Sequence, residues 1–280
     1  MNFLRNIEKG TLSIKKMTIT RAFFIMILAV LLESLGQIPI VIINILSKKY
    51  TTALPYIDFV ADVIVKYFVI SLLLKLYSKI SYDTPRKQGL NKKNFIRVAI
   101  IIIGFRLAYD NSLIYLVDKI PMPDFISQAF GEMSISPIIL ILSIAVIAPI
   151  YEEVIFRGIL LKGMANKMAP NLALIISASI FALVHMNIPQ GINAFLLGLI
   201  IGAIYLRTDS IYLCIFAHFI NNSAAITISG AFQSLSWRYS MIIHGVLLLV
   251  GITILIYAYR WYTLKKPEDT PDIYKEFIER

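Results

Sequence analysis

The sequence predicts an all-α polytopic membrane protein of about eight transmembrane helices in one bundle, and three observations carry that expectation. Of its 280 residues 58% are hydrophobic, only 16% are charged, and the mean hydropathy is +0.74. A soluble domain carries about a quarter charged residues. The apolar residues fall in runs of roughly 20, the length a helix needs to cross bilayer hydrocarbon. Hydrocarbon offers no partner to a backbone amide, so helices are the spanning element such runs can form.

Residues 1–20 read as a short basic lead with Arg5, Lys9, Lys15 and Lys16. The apolar stretch behind it is too long for a signal peptide and lacks an Ala-x-Ala exit, so it is expected to stay as the first span. A single transmembrane domain is expected over 21–262, with a polar tail at 263–280. Span one runs over about 21–46 and is interrupted by Glu33, Gln37 and Pro39. A short connection with Lys48 and Lys49 leads to span two, about 56–78, which holds Asp62 and Lys66. The largest basic cluster follows in the 79–97 loop, and span three covers about 95–117. The 118–136 loop, with Asp118, Asp124 and Glu132, has little positive bias.

Span four is the long run 137–166. Pro170 closes the next turn, since proline opens a helix but does not continue one. Spans five to eight follow at about 171–187, 191–206, 211–229 and 240–261, with a tight polar turn at Arg207–Ser210. Eight spans put both termini on one side, together with the 79–97 loop and the turns at 162–170 and 207–210. Lysine and arginine gather in cytoplasmic loops, so that side is expected to be the cytoplasm and the location a plasma membrane, bacterial by the Ile/Lys/Asn-rich style. The same rule accounts for the net charge of +10 without a nucleic-acid partner; membrane lipid is the partner expected. Cys214 is the sole cysteine, which excludes an intramolecular disulfide and any cysteine-based zinc cluster.

The chemistry concentrates in span four. Glu152, Glu153 and Arg157 lie within six residues of one another in an otherwise apolar helix, where each charge costs at least a few kcal/mol unless paired or used. Glu153 and Arg157 are i, i+4 with the acid first, the favoured order for a helical ion pair. Glu152 points about 100° away and is left as a candidate general base. Three more polar residues belong with it: His185 in span five, and His218 and Asn222, i, i+4 in span seven. About a turn near 168–169, Glu152 and His185 stand at the same height, about 24 Å away at 1.5 Å per residue. His218 is only about 13 Å from its own turn, so levelling it requires the four–five hairpin to protrude. Gly198 and Gly202 form a small-xxx-small packing pair. Glu33, Asp62, Lys66, Arg106 and Asp110 read as helix-pairing or interfacial groups, and His244 has no companion at a useful spacing.

Glu152-Glu153-x-x-x-Arg157, Phe181-x-x-x-His185 and His218-x-x-x-Asn222 together resemble the three-motif signature of the type II CAAX prenyl endopeptidases and their bacterial relatives, the Abi or CPBP intramembrane glutamic endopeptidases. Ala148-Pro-Ile150, Phe156-Arg-Gly-Ile-Leu160 and Gly-x-x-x-Gly-x-x-Tyr-x-Arg-Thr at 198–208 extend the likeness over roughly 140–225. The resemblance implies an eight-helix bundle with a polar cavity and no cofactor. It also implies that Glu152 activates water with help from His185, that His218 and Asn222 hold an oxyanion, and that Glu153 and Arg157 support the site. The implied substrate is a membrane-embedded or lipidated peptide. An older view of the family would make Glu152, His185 and His218 zinc ligands, although no His-Glu-x-x-His run is present.

Two other function classes compete with the peptidase. A bacteriocin-immunity or scaffold protein would keep the bundle without needing catalysis, and would be marked by a missing motif residue; none is missing. A transporter would show paired repeats or matching broken helices, and the sequence shows neither.

Overall fold

The computed structural model describes residues 2–46, 54–81, 90–124, 126–127, 131, 136–228 and 237–263. Lys48 and Lys49, the centre of the basic 79–97 loop, Glu132 and the polar tail lie outside the described residues.

Among the described residues, helices of 14 residues or more lie along the apolar runs. They are α2 (Ile19–Leu46), α3 (Leu54–Tyr77), α4 (Lys92–Asp110), α6 (Pro137–Ala165), α7 (Pro170–Leu183), α8 (Ile188–Thr208), α9 (Ile211–Ile228) and α10 (Trp237–Thr263). A short helix, α1 (Asn2–Glu8), precedes them, and a single turn, α5 (Ile114–Val117), follows α4. By length and composition α2, α6, α8 and α10 qualify as bilayer spans among the described residues. The apolar helices α7 and α9 are shorter, and α3 and α4 carry too many charges for the same criterion. The chain is an all-α membrane protein.

Inside the bundle α7 and α8 form a hairpin, α2 lies on α3, and α10 lies on α4, while α9 packs against α4, α6 and α8. The centre is α6, whose residues from Val154 to Ala165 are all buried. Lipid-facing flanks elsewhere stay apolar, as Phe24, Leu35, Ile64 and Leu249 show. At the α4–α10 crossing the backbones touch: a Cβ on Gly251 would lie 2.5 Å from the Ala108 nitrogen and 2.8 Å from the Gly104 carbonyl oxygen. Backbone cannot step aside as a side chain can, so Gly251→Val should force the helices apart. We expect a loss of about 1–3 kcal/mol, the usual cost of overpacking, read as a lower midpoint of thermal unfolding in detergent.

The basic lead is more structured than its composition predicts. After α1, Leu12–Ile14 (β1) pairs antiparallel with Ser78–Ile80 (β2), Leu12 opposite Ile80. Met17 N donates to the Gly163 carbonyl at 3.0 Å, and its side chain fills the space that a Cβ on Gly163 would need. Asn166 Nδ2 donates to the Ile14 carbonyl at 3.2 Å. The lead is therefore sewn onto the end of α6 by bonds that no local pattern announces.

Candidate active site

Pro149 shapes the site. Proline has no N–H to give and its ring crowds the carbonyl one turn back. The helix answers by widening to a π-helical turn over Leu142–Ile147, with Ala148 N bonded to Ser143 O five residues back. The next bond in that register would run from residue 149 to Ile144 O, and Pro149 cannot make it. Asn222 of α9 supplies the donor instead, Nδ2 to Ile144 O at 2.8 Å. Asn221 Nδ2 holds the Asn222 Oδ1 at 3.0 Å. The amide of Asn222 is thereby oriented at both ends, with its second N–H unpartnered among the described residues. A second π-helical stretch, Val154–Leu161, carries Arg157. There Ser177 Oγ of α7 donates to Phe156 O at 3.2 Å. Such bulges gather at functional sites.

Glu153 and Arg157 form the ion pair that their spacing predicts, Oε2 to Nε at 3.0 Å, with side chains 0% and 2% exposed. The other carboxylate oxygen of Glu153 accepts from His218 Nδ1 at 2.7 Å. With that nitrogen donating, Nε2 is the ring atom that faces Glu152, 3.8 Å from its Oε2. Glu152 is one-quarter exposed and His218 almost wholly buried, so Glu152 is the carboxylate that opens onto space. Arg157 is held further by the Gly198 carbonyl, 3.4 Å from Nη2, and by the Phe181 ring, whose centroid is 4.9 Å from Cζ, a cation–π distance. A Cβ on Gly198 would come within 3.1 Å of Ala178 Cβ and 3.4 Å of Phe181. The small residue thus lets α8 approach closely enough for its carbonyl to reach Arg157.

His185 stands differently from its expected place in a span. Helix α7 ends at Leu183, and His185 lies in the turn to α8, followed by Met186 at φ 53°. Its Nδ1 bonds the Phe181 carbonyl at 2.8 Å and its ring meets Phe181 edge-on at 5.0 Å. Phe181 in turn lies 5.9 Å from the His218 ring, so it stands between the two imidazoles. No ion pair between His185 and Glu152 forms among the described residues; the histidine beside Glu152 is His218. Nor does any group of three His, Cys, Asp or Glu side chains among the described residues converge as metal ligands would.

One residue of the site's frame escapes sequence reasoning altogether. Glu8 of α1 is buried and caps α9, the helix of His218 and Asn222. Its Oε1 accepts from Ser210 Oγ at 2.8 Å, and its Oε2 from the amides of Ile211 at 2.8 Å and Tyr212 at 3.3 Å. A carboxylate suits a helix N-terminus, where amides are unpaired and the dipole is positive. Ser210 before an apolar run is a legible cap signal; a partner 202 residues away is not. Burial raises the Glu8 pKa above the usual carboxylate value, against the lowering by Ser210, Tyr212 and Ile211. A raised folded pKa means that the folded state keeps its proton longer, so this contribution is complete below the unfolded value and is lost as pH rises through the folded one. The stability difference between wild type and Glu8→Gln, which cannot ionise, should move in the variant's favour as pH rises from about 4.3, in paired unfolding curves. A difference that stays flat with pH would show the carboxyl to be untouched by its burial.

Two polar groups read as interfacial lie apart from this site. Arg106 pairs with Asp110 at 2.8 Å within α4. His244 gains companions through tertiary packing: its Nε2 lies 2.8 Å from the Tyr115 hydroxyl, and its Nδ1 meets Asn111.

Residues 134–224 match the family described as Rce1-like, type II CAAX prenyl endopeptidase. The chain is also similar to the Bacillus subtilis (strain 168) protein named "Putative membrane peptidase YdiL", 26% identical over 159 residues, which is 56% of this chain and 65% of that protein. No solved structure matches. The matched segment contains the acid pair and Arg157 on α6, the Phe181–His185 turn, and His218 and Asn222 on α9, joined by the contacts above; over residues 134–224 the chain is similar to the Rce1-like, type II CAAX prenyl endopeptidase family.

Proposed function

We propose that this protein is an intramembrane endopeptidase that hydrolyses peptide bonds of membrane-embedded or lipidated substrates with water activated by Glu152. The observation that carries the reading is the continuous run Glu152···His218···Glu153···Arg157. In this reading His218 donates from Nδ1 to Glu153 and turns Nε2 toward Glu152, so each acid of the run faces a partner, as a low-dielectric site requires.

Glu152 takes a proton from water, and the water oxygen attacks the scissile carbonyl carbon. The carbonyl electron pair moves onto oxygen, where His218 Nε2–H and the second amide N–H of Asn222 receive the oxyanion. Collapse of the tetrahedral intermediate breaks the C–N bond, and protonated Glu152 returns its proton to the leaving amine. Charge moves between Glu152 and the oxyanion while the total stays constant. Glu153 and Arg157 are positioning residues here: they hold the His218 ring through Nδ1. His185, reached through Phe181, fits the edge of the substrate path more than the water itself.

The reading is tested with purified full-length protein and a library of fluorogenic and lipidated peptides, wild type against Glu152→Gln, with and without a strong chelator. Cleavage that needs Glu152 and ignores the chelator supports it. Cleavage abolished by chelator and restored by zinc would instead make Glu152, His185 and His218 metal ligands.

A further inference from the structure

Four polar side chains from two helices meet beside the turn of α6 that carries Glu152. Lys66 of α3 lies 2.9 Å from Glu33 Oε1 of α2 and also bonds Asp62 one turn back. Gln37 Nε2 donates to Asp62 at 3.0 Å. The Lys66 ammonium stands 5.6 Å from the ring centroid of Tyr151, the residue just before Glu152. The buried Tyr151 hydroxyl is aimed at the Glu33 carboxylate yet stops short of a well-formed hydrogen bond.

As a helix lock this group has one acid too many. Two carboxylates share one ammonium, so the cluster formally carries one negative charge near the middle of α2 and α3. A surplus charge at that depth is unfavourable facing lipid, and intramembrane acids turn toward a cavity or a partner. Glu33 and Asp62 are nonetheless 30% and 27% exposed, more than Lys66 between them. Their partial exposure leaves both carboxylates open to a further cation.

We propose that Glu33, Asp62 and Tyr151 form a subsite for a cationic side chain, lysine or arginine, of a membrane peptide. As a specificity determinant this rests on the peptidase reading, since Tyr151 and Glu152 are consecutive and one bound peptide would reach both. The carboxylates attract the substrate's ammonium or guanidinium, the Tyr151 hydroxyl accepts one of its hydrogens, and the surplus charge is cancelled only when substrate is seated. A peptide with an acidic residue at that position is excluded by the same charge.

The experiment walks a single lysine along an otherwise neutral transmembrane peptide, each version paired with norleucine and glutamate twins. Binding to the full-length protein in lipid nanodiscs is read by fluorescence anisotropy, with hydrolysis followed in parallel. At one position lysine should bind about tenfold or more tighter than norleucine, the scale of a desolvated charge pair, and glutamate weaker than either. Glu33→Gln and Asp62→Asn should each shrink that ratio, and Lys66→Gln, which removes the competing ammonium, should enlarge it. A ratio is internal to each preparation, so partial unfolding of a variant does not mimic the result. Equal binding of lysine and norleucine at every position, or a ratio unchanged in all three variants, overturns the subsite. Lysine-selective binding without any cleavage keeps the subsite and removes the peptidase reading.

Discussion

Glu152→Gln is expected to lower peptide hydrolysis by roughly 10²–10⁴-fold, the usual contribution of a general base, or about 3–5 kcal/mol of barrier. The substitution keeps the shape of the side chain and its place 3.8 Å from His218 Nε2, and removes only the group that takes the proton. Glu152 belongs to no ion pair with Arg157, which Glu153 holds, and its side chain is one-quarter exposed. Thermal unfolding of the variant should therefore shift far less than for a variant of the buried Glu153–Arg157 pair, since glutamine keeps the volume and the side chain is partly exposed. Turnover at the wild-type rate in the glutamine variant would remove Glu152 as the base. Loss of turnover together with a collapsed unfolding midpoint would instead make it a structural residue.

The opposite pattern is expected little more than one helical turn along. Arg157→Met should destabilise the protein by about 3–5 kcal/mol, because removing one partner of a buried pair leaves the other charge uncompensated. Glu153 is fully buried, and without Arg157 it keeps only His218. Methionine also forfeits the contacts with the Gly198 carbonyl and the Phe181 ring. Adding Glu153→Gln to Arg157→Met should recover a large part of the loss, since neutral side chains of similar volume often replace a buried pair at little cost. The double-mutant cycle in detergent unfolding measures this coupling. Activity should stay low in the double variant, because nothing charged then holds His218 Nδ1. A single variant as stable as wild type would show that the pair contributes nothing net to the fold.

The two expectations separate along a line that one helical turn already draws. Glu153 and Arg157 are four residues apart, so their pairing follows from helix geometry, and so does the divergence of Glu152. The partner of Glu152 was not legible in the same way. Counting from the 168–169 turn levels it with His185, but a count along two helices assumes that both are regular and both continue. Helix α7 stops at Leu183 and α6 contains two π-helical stretches, each of which changes the rise and rotation that the count relies on. Pro149 announces a distortion; that the orphaned Ile144 carbonyl would be met by Asn222, 78 residues away, does not follow from it.

The lead makes the same point at larger scale. Arg5, Lys9, Lys15 and Lys16 marked it as basic, yet its one acid, Glu8, is buried and bonded to α9. Likewise the charges of Glu33, Asp62 and Lys66 were visible in spans one and two, but their meeting beside Tyr151 depends on how three helices pack.

Membrane character, helical class, the places of the long helices and the residue types of the site all follow from period, length and local spacing, because hydrocarbon permits few backbone solutions and penalises each stray charge. Which histidine faces Glu152, which carbonyl orients Asn222, and what caps α9 came only from the packed bundle, where the spacing between contacting residues is no longer a property of any one helix.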